Sequence, residues 1–297
     1  MKLSGLHLLL TYQCTLECEH CFVWGSPWQS GVMNLTQLHE ILRQAREVEG
    51  LDWIYFEGGE PFLYYPILLR GVQMATAMGF HIGIVSNAYW ATTEADALAW
   101  LKPFADLIED LTISSDLYHC SETNSELMLN AAAAAAALNI PLETICVAQP
   151  EATNTAPEVV LLQRGSSAVM YRGRAASRLV SRAVLRPWDT FTACSHEDLR
   201  DPGRAHLDPF GNLHICQGIS LGNVFKQPLK EICENYYAGA NPICGPLLKG
   251  GPVRLVEEYG LLHADRYADA CHLCYECRLA LRERFPDVLT PDQMYGV

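Results

Sequence analysis

The chain is short of positive charge. Its 297 residues carry 21 Lys and Arg against 34 Asp and Glu, a formal net charge of −13, and no basic block interrupts that balance. Such a surface repels phosphate backbones and anionic lipid, so nucleic acid and membrane are poor partners. Long apolar runs are missing as well: none approaches the roughly 20 residues that cross a bilayer. The opening MKLSGLHLLL has leucines and one lysine, but Gly5 and His7 interrupt it and no small-x-small cleavage pattern follows, so no secretory signal is read there.

Cysteine, by contrast, is abundant, with 12 residues. Disulfide frameworks belong to small secreted chains that lack a core. This chain is neither small nor led by a signal, and 49% of it is hydrophobic. A reduced, cytoplasmic, metal-binding protein is expected.

The first 185 residues alternate strand and helix signals. LHLLLT is an apolar run of strand length. The segment from Asn34 to Gly50 opens on an N-cap with Gln37 three residues on, and places Leu35, Leu38, Ile41, Leu42 and Ala45 at helical spacing. Strands are expected at DWIYFEG, HIGIVSN, DLTISSD, ETICVAQ and SAVMY. Helices are expected between them, one starting from a capping box at Thr123 to Glu126 and running through seven alanines. About six βα repeats imply parallel strands with right-handed crossovers, as an open sheet or a partial barrel, with chemistry in the loops after the strands. Cys14 to Cys21, Glu57 to Pro61, Ser86-Asn87 and Ser114 to His119 all fall in such loops. Turns and cysteines dominate beyond RPWDTF, so a boundary is placed near residue 186: residues 1–185 form one domain and 186–297 a smaller irregular one organised by metal rather than by a core.

Cys14-x3-Cys18-x2-Cys21 offers three soft thiolates from one loop, a set that selects iron–sulfur, zinc or copper(I). A closed structural zinc site wants four ligands, so a compact triple leaves one position open. Cys194, Cys216, Cys271, Cys274 and Cys277 make a second set, and on spacing alone zinc and a cubane cluster are equally served.

The C-x3-C-x2-C loop after the first strand resembles that of the radical S-adenosylmethionine (radical SAM) enzymes, and EGGEP at 57 to 61 is similar to their glycine motif. The resemblance covers roughly residues 6 to 180. It implies an α/β partial (β/α)6 TIM-like barrel, a 4Fe–4S cluster on Cys14, Cys18 and Cys21, and S-adenosylmethionine on its open iron. Gly58, Gly59 and Glu60 would hold the cofactor's methionine amino group. Ser86, Asn87 and Ser114 would contact the cofactor, and Arg174, in YRGRA, would approach it. The G-x4-C element at Gly211 to Cys216 and the late C-x2-C resemble the SPASM or Twitch auxiliary domain. They imply a second 4Fe–4S cluster on Cys194, Cys216, Cys271 and Cys274, with Cys277 as the spare.

By the same resemblance, the cluster would cleave the cofactor reductively and the resulting 5′-deoxyadenosyl radical would take hydrogen from a peptide or small-molecule substrate. An electron donor such as flavodoxin or ferredoxin would supply the cluster. With strand one expected from about residue 6, a peptide-binding domain has no room ahead of it, so a peptide substrate would need a separate recognition protein or direct binding. Oxidation or cross-linking through the auxiliary cluster is the leading outcome. Redox-neutral epimerisation is the alternative, with Cys120 as hydrogen donor. Asp116 and His119, in the same loop, are acid–base candidates. A zinc-binding interaction protein is the reading from another class, and EGGEP speaks against it because a zinc brace has no use for that turn.

Overall fold

A computed structural model describes residues 1–120, 125–153 and 166–297. Its first half repeats strand and helix: β1 (Leu3–Thr11), α1 (Leu35–Ala45), β2 (Trp53–Gly58), α2 (Tyr65–Ala77), β3 (His81–Ser86), α3 (Glu94–Leu101), β4 (Asp110–Ser114), α4 (Glu126–Ala137), β5 (Leu142–Val147), the short α5 (Pro150–Thr153) and β6 (Ser166–Ser167). Neighbours β1 to β6 pair in parallel and in chain order. This is the expected α/β partial barrel.

Helix starts follow side-chain chemistry. Asn34 Oδ1 accepts from the Gln37 amide at 2.9 Å and Gln37 Oε1 accepts from the Asn34 amide at 2.9 Å, the reciprocal box read from sequence. Ser125 caps α4, accepting from the Met128 amide at 3.4 Å; the expected cap Thr123 lies outside the described residues. The alanine run is a helix wall, with Ala131, Ala134 and Ala135 buried against the sheet.

Strand alternation decides where the chemistry sits, because successive side chains point to opposite faces. Leu6, Leu8, Ile54, Phe56, Leu111 and Ile113 face the helices and form the main core. The residues between them, His7, Tyr55, Glu57, Asp110 and Thr112, face inward and line a cavity. The barrel is thus apolar outside and polar within.

The second half continues with α6 (Ala175–Arg178), β7 (Arg186–Pro187), β8 (Gly203–Leu207), β9 (Asn212–Cys216), β10 (Ile219–Asn223), α7 (Leu229–Asn235), α8 (Cys244–Tyr259), β11 (Arg266–Tyr267) and α9 (Ala270–Leu281). Two sequence expectations change here. SAVMY contributes only the end of β6, because the Tyr171 amide leaves the sheet and donates to Asp269 Oδ2 at 3.1 Å. The stretch RDPGRAHLDPFGN, read as turns, contains β8, which pairs in parallel with the free edge of β1 and extends the sheet through antiparallel β9 and β10 to nine strands among the described residues. Gly211 takes φ +88° in the tight turn between β8 and β9, where Asp208 Oδ1 accepts the Phe210 and Asn212 amides. The tail, expected to rest on metal, also buries an apolar cluster of Ile215, Leu255, Leu273 and Tyr295, joined to the barrel through Leu9 and Tyr12. Among the described residues no helix is long and apolar enough to cross a membrane.

Candidate active site

The loop leaving β1 is folded back on itself. The Cys14 amide donates to the Ser26 carbonyl at 3.0 Å, the Cys21 amide to the Cys18 carbonyl at 3.1 Å, and the Gly25 amide to Cys21 Sγ at 3.2 Å. These bonds bring Cys14, Cys18 and Cys21 to the wall of one cavity of about 580 Å³. Gly58, Gly59, Ser86, Asn87, Ser114 and His119 line the same cavity from the ends of β2, β3 and β4.

Gly58 and Gly59 have a steric reason. A Cβ on Gly59 would lie 2.1 Å from the Gln13 carbonyl oxygen, and one on Gly58 2.4 Å from that of Thr11. Only glycine lets the β2 exit press against the cysteine loop, where the Gly59 amide donates to the Thr11 carbonyl at 2.7 Å.

Glu60 is fully buried and does not line the cavity. Its Oε1 accepts from Ser86 Oγ at 3.0 Å and from the Phe62 amide at 3.1 Å, and its Oε2 from the Asn87 amide at 2.8 Å. The carboxylate therefore ties the end of β2 to the end of β3. Burial pushes its pKa up to about 7, against the lowering effect of those hydrogen bonds. Asn87, held in turn, sends Nδ2 to Thr15 Oγ1 at 3.0 Å and to within 3.6 Å of Cys14 Sγ.

Arg174 is likewise buried beside the cysteine loop. Nη1 donates to the Cys18 carbonyl and Nη2 to the Gly25 carbonyl, both at 2.8 Å. The guanidinium is a clamp on the loop backbone and sets a positive charge beside the thiols.

The donor set suits a soft, cationic centre. Burial, reinforced by the neighbouring Glu60 and Cys21, pushes the Cys14 thiol up to about 12, and burial with thiol–thiol repulsion raises Cys18 further. Three crowded thiols give up their protons together only to a metal that replaces the lost charge.

Asp116 and His119 form a dyad beside this loop. Asp116 Oδ1 lies 2.7 Å from His119 Nδ1, while Oδ2 accepts from the Val147 amide at 3.1 Å, pinning the loop after β4 to β5. Burial opposes ionisation of Asp116, but His119, with His20 and the Val147 amide, holds the carboxyl below its usual range. His20, between Cys18 and Cys21, packs edge-on to His119 with centroids 5.2 Å apart, and burial lowers its pKa to about 4. Cys120 stands apart: it does not line the cavity, and its thiol donates to Ser125 Oγ at 3.2 Å.

A second, smaller cavity gathers Cys194, Cys216, Cys271 and Cys274 with the buried Arg172 and Arg278. Arg172 Nη1 lies 3.3 Å from Cys216 Sγ and 3.2 Å from Glu197 Oε1. Cys277, one helical turn beyond Cys274 on α9, is not in that lining, and neither is Cys244. Arg172 borders both cavities.

Residues 8–154 match the family model described as the radical SAM superfamily. The chain belongs to the radical SAM superfamily. Its members use S-adenosylmethionine and a 4Fe–4S cluster, and the loop of Cys14, Cys18 and Cys21 fits that cluster in number, softness and position. The chain is 26% identical over 122 residues to a putative peptide biosynthesis protein, YydG, of Bacillus subtilis (strain 168), covering 41% of this chain and 38% of that protein. It is 34% identical over 111 residues to a tungsten-containing aldehyde ferredoxin oxidoreductase cofactor-modifying protein of Pyrococcus furiosus, covering 37% of this chain and 30% of that one. The matched stretch thus spans 38% and 30% of these relatives' own length. Among solved structures, the radical SAM fold aligns with anSMEcpe bound to AdoMet and the Cp18Cys peptide (TM-score 0.52, 13% identity, 96% of this chain and 97% of that one). It also aligns with BtrN in complex with AdoMet and 2-DOIA (TM-score 0.51, 16% identity, 79% and 84%).

Sequence reading missed the inward-facing strand residues His7 and His206, and took Glu57, which lies within β2, for the start of a loop. A histidine alternating with leucines in LHLLL, and another in RAHLD, were the available signal: a polar residue on the alternate face of an otherwise apolar strand.

Proposed function

We propose that this radical SAM enzyme abstracts a hydrogen atom from a peptide or polar small-molecule substrate held in the 580 Å³ chamber, as the first step of an oxidation or cross-link. The observation that carries the reading is the convergence of Cys14, Cys18, Cys21, the Gly58-Gly59 turn, Asn87 and Ser114 on one cavity at the carboxyl ends of parallel strands. When bound, the cluster and S-adenosylmethionine supply a carbon-centred radical able to break an unactivated C–H bond.

The chain's own contribution is positional. The backbone of Gly58 and Gly59 offers close approach to the cofactor's methionine end, Glu60 fixes Ser86 and Asn87 beside it, and Arg174 holds the loop that carries the thiols. His119, oriented by Asp116, presents an imidazole to the chamber for proton transfer. Glu57, Asp110 and Glu143 on the wall, with Arg204, suit a polar substrate better than an apolar one.

Cys194, Cys216, Cys271 and Cys274 would hold an auxiliary 4Fe–4S cluster, since these four and not Cys277 meet around one cavity beside two buried arginines. Arg172, bordering that cavity and the chamber, supports an oxidative role for such a centre. The peptide class is supported by the name of the Bacillus relative and by the peptide bound to anSMEcpe.

The test is anaerobic incubation of reduced enzyme with S-adenosylmethionine in deuterated water, with peptides encoded beside its gene as substrates. Loss of two hydrogens from one peptide supports the proposal. Deuterium gain with no other change identifies epimerisation and overturns the oxidative reading. No change in any peptide overturns the peptide class.

A further inference from the structure

We propose that His7, Glu57 and His206 bind one divalent first-row transition-metal ion on the chamber wall, separately from the cysteine sites. The three side chains come from three adjacent strands, β1, β2 and β8. His7 stands in register with His206 across the β1–β8 pair, and Glu57 lies on the neighbouring strand, two positions along the same inward face. Hydrogen-bonded strands fix their Cα positions, so the trio is arranged before any ligand arrives.

Distances favour a shared ion. Glu57 Oε1 lies 3.3 Å from His7 Nδ1 and 3.0 Å from His206 Nε2, and all three donor atoms fall within 4.8 Å of one another. Ligands about 2.0–2.1 Å from zinc or a similar ion stand roughly 2.9–3.4 Å apart along a polyhedron edge. His7 Nδ1 and Glu57 Oε1 are both buried, and neither has a hydrogen-bond partner despite the short contacts. Contacts this short with poor hydrogen-bond geometry leave the donor atoms facing common space. Buried polar atoms left in that state are costly, and an ion between them removes the cost.

The donor chemistry agrees. Two imidazoles and one carboxylate suit zinc, iron(II), cobalt(II) or manganese(II), and three protein ligands leave further positions open. Those positions face the chamber, because all three residues line it. The rings are braced from behind: His7 stacks on Tyr55 at 4.6 Å between centroids, and Phe22 meets His206 edge-on at 5.5 Å.

The test uses cobalt(II) added to anaerobically purified protein carrying its iron and sulfide. One equivalent per chain is expected, with ligand-field bands in the difference spectrum and no sulfur-to-cobalt charge transfer. Glu57→Gln and His206→Gln should each weaken that binding at least about 100-fold, with iron and sulfide content unchanged as the check on folding. Cobalt bound only with sulfur charge transfer, no cobalt bound at all, or Glu57→Gln binding within about threefold of the parent protein would overturn the site. Because cobalt is read by its own spectrum, this outcome is independent of whether the protein turns over a peptide.

Discussion

Arg174 Nη1 donates to the backbone carbonyl of Cys18 at 2.8 Å, from a side chain 156 residues away in the sequence. With the second bond to Gly25, it fixes the loop that carries the cysteines. Arg174→Ala removes the guanidinium's bond to the Gly25 carbonyl and leaves the Cys18 carbonyl with the Cys21 amide alone, and should cost about 3 kcal/mol, with iron uptake reduced in parallel. Arg174→Lys cannot span both carbonyls with one fork and should recover only part of the loss. Denaturant titration and anaerobic iron counts check this; full iron content in Arg174→Ala would refute the clamp.

Glu60 should impose a pH dependence on stability. Its folded-state pKa is raised to about 7 from the ordinary 4.5, so between those values the folded chain binds more protons than the unfolded one. Stability contributed by this group is therefore present below about pH 4.5 and falls as pH rises through 7, by up to about 3 kcal/mol. Glu60→Gln should flatten that slope between pH 5 and 7, as read by chemical denaturation (roughly the window set by linkage). An unchanged slope would remove Glu60 as its source.

The two cysteine sets should be separable by iron content. Replacing Cys14, Cys18 and Cys21 with alanine should remove about four irons per chain, and replacing Cys194, Cys216, Cys271 and Cys274 about four others. Cys277→Ala should retain all of them, because Cys277 lies outside the second cavity. Loss of iron in Cys277→Ala would redraw the ligand set.

In the proposed function Asp116 acts through His119. Asp116→Asn keeps the shape but removes the charge that orients the imidazole across 2.7 Å. Turnover of substrate should fall about 100-fold while cofactor cleavage persists, so that less product forms per cofactor consumed. Cys120→Ala, by contrast, should leave the product-to-cofactor ratio within about twofold of the parent, since its thiol is turned to Ser125. Chromatographic product counts distinguish the two.

Much of this site was legible from strand ends. Short apolar runs between helix signals located β1 to β5, and the family resemblance of motifs at their carboxyl ends named Cys14, Gly59, Asn87 and Ser114. Inward faces were harder to read. His7 sits in an apolar strand whose lumen-facing side is polar, and its local signal is a single polar letter among leucines. The edge strand β8 was hidden for a related reason: its stability comes from pairing with β1, almost 200 residues earlier in the chain, while its own letters, GRAHL, sit between turn-forming residues. Arg174 and Glu60 were found as motif letters, but their hydrogen bonds to the chain itself depend on long-range folding that spacing does not encode.

Radical chemistry in this chain depends on the loop of Cys14, Cys18 and Cys21. Its most direct test is the amount of 5′-deoxyadenosine formed from S-adenosylmethionine by the reconstituted, reduced protein, measured by chromatography with mass detection beside the variant lacking those three thiols. The parent protein should form it together with methionine, and the variant should form none. Equal yields from the two, or none from an iron-loaded parent protein given its substrate, would contradict the account.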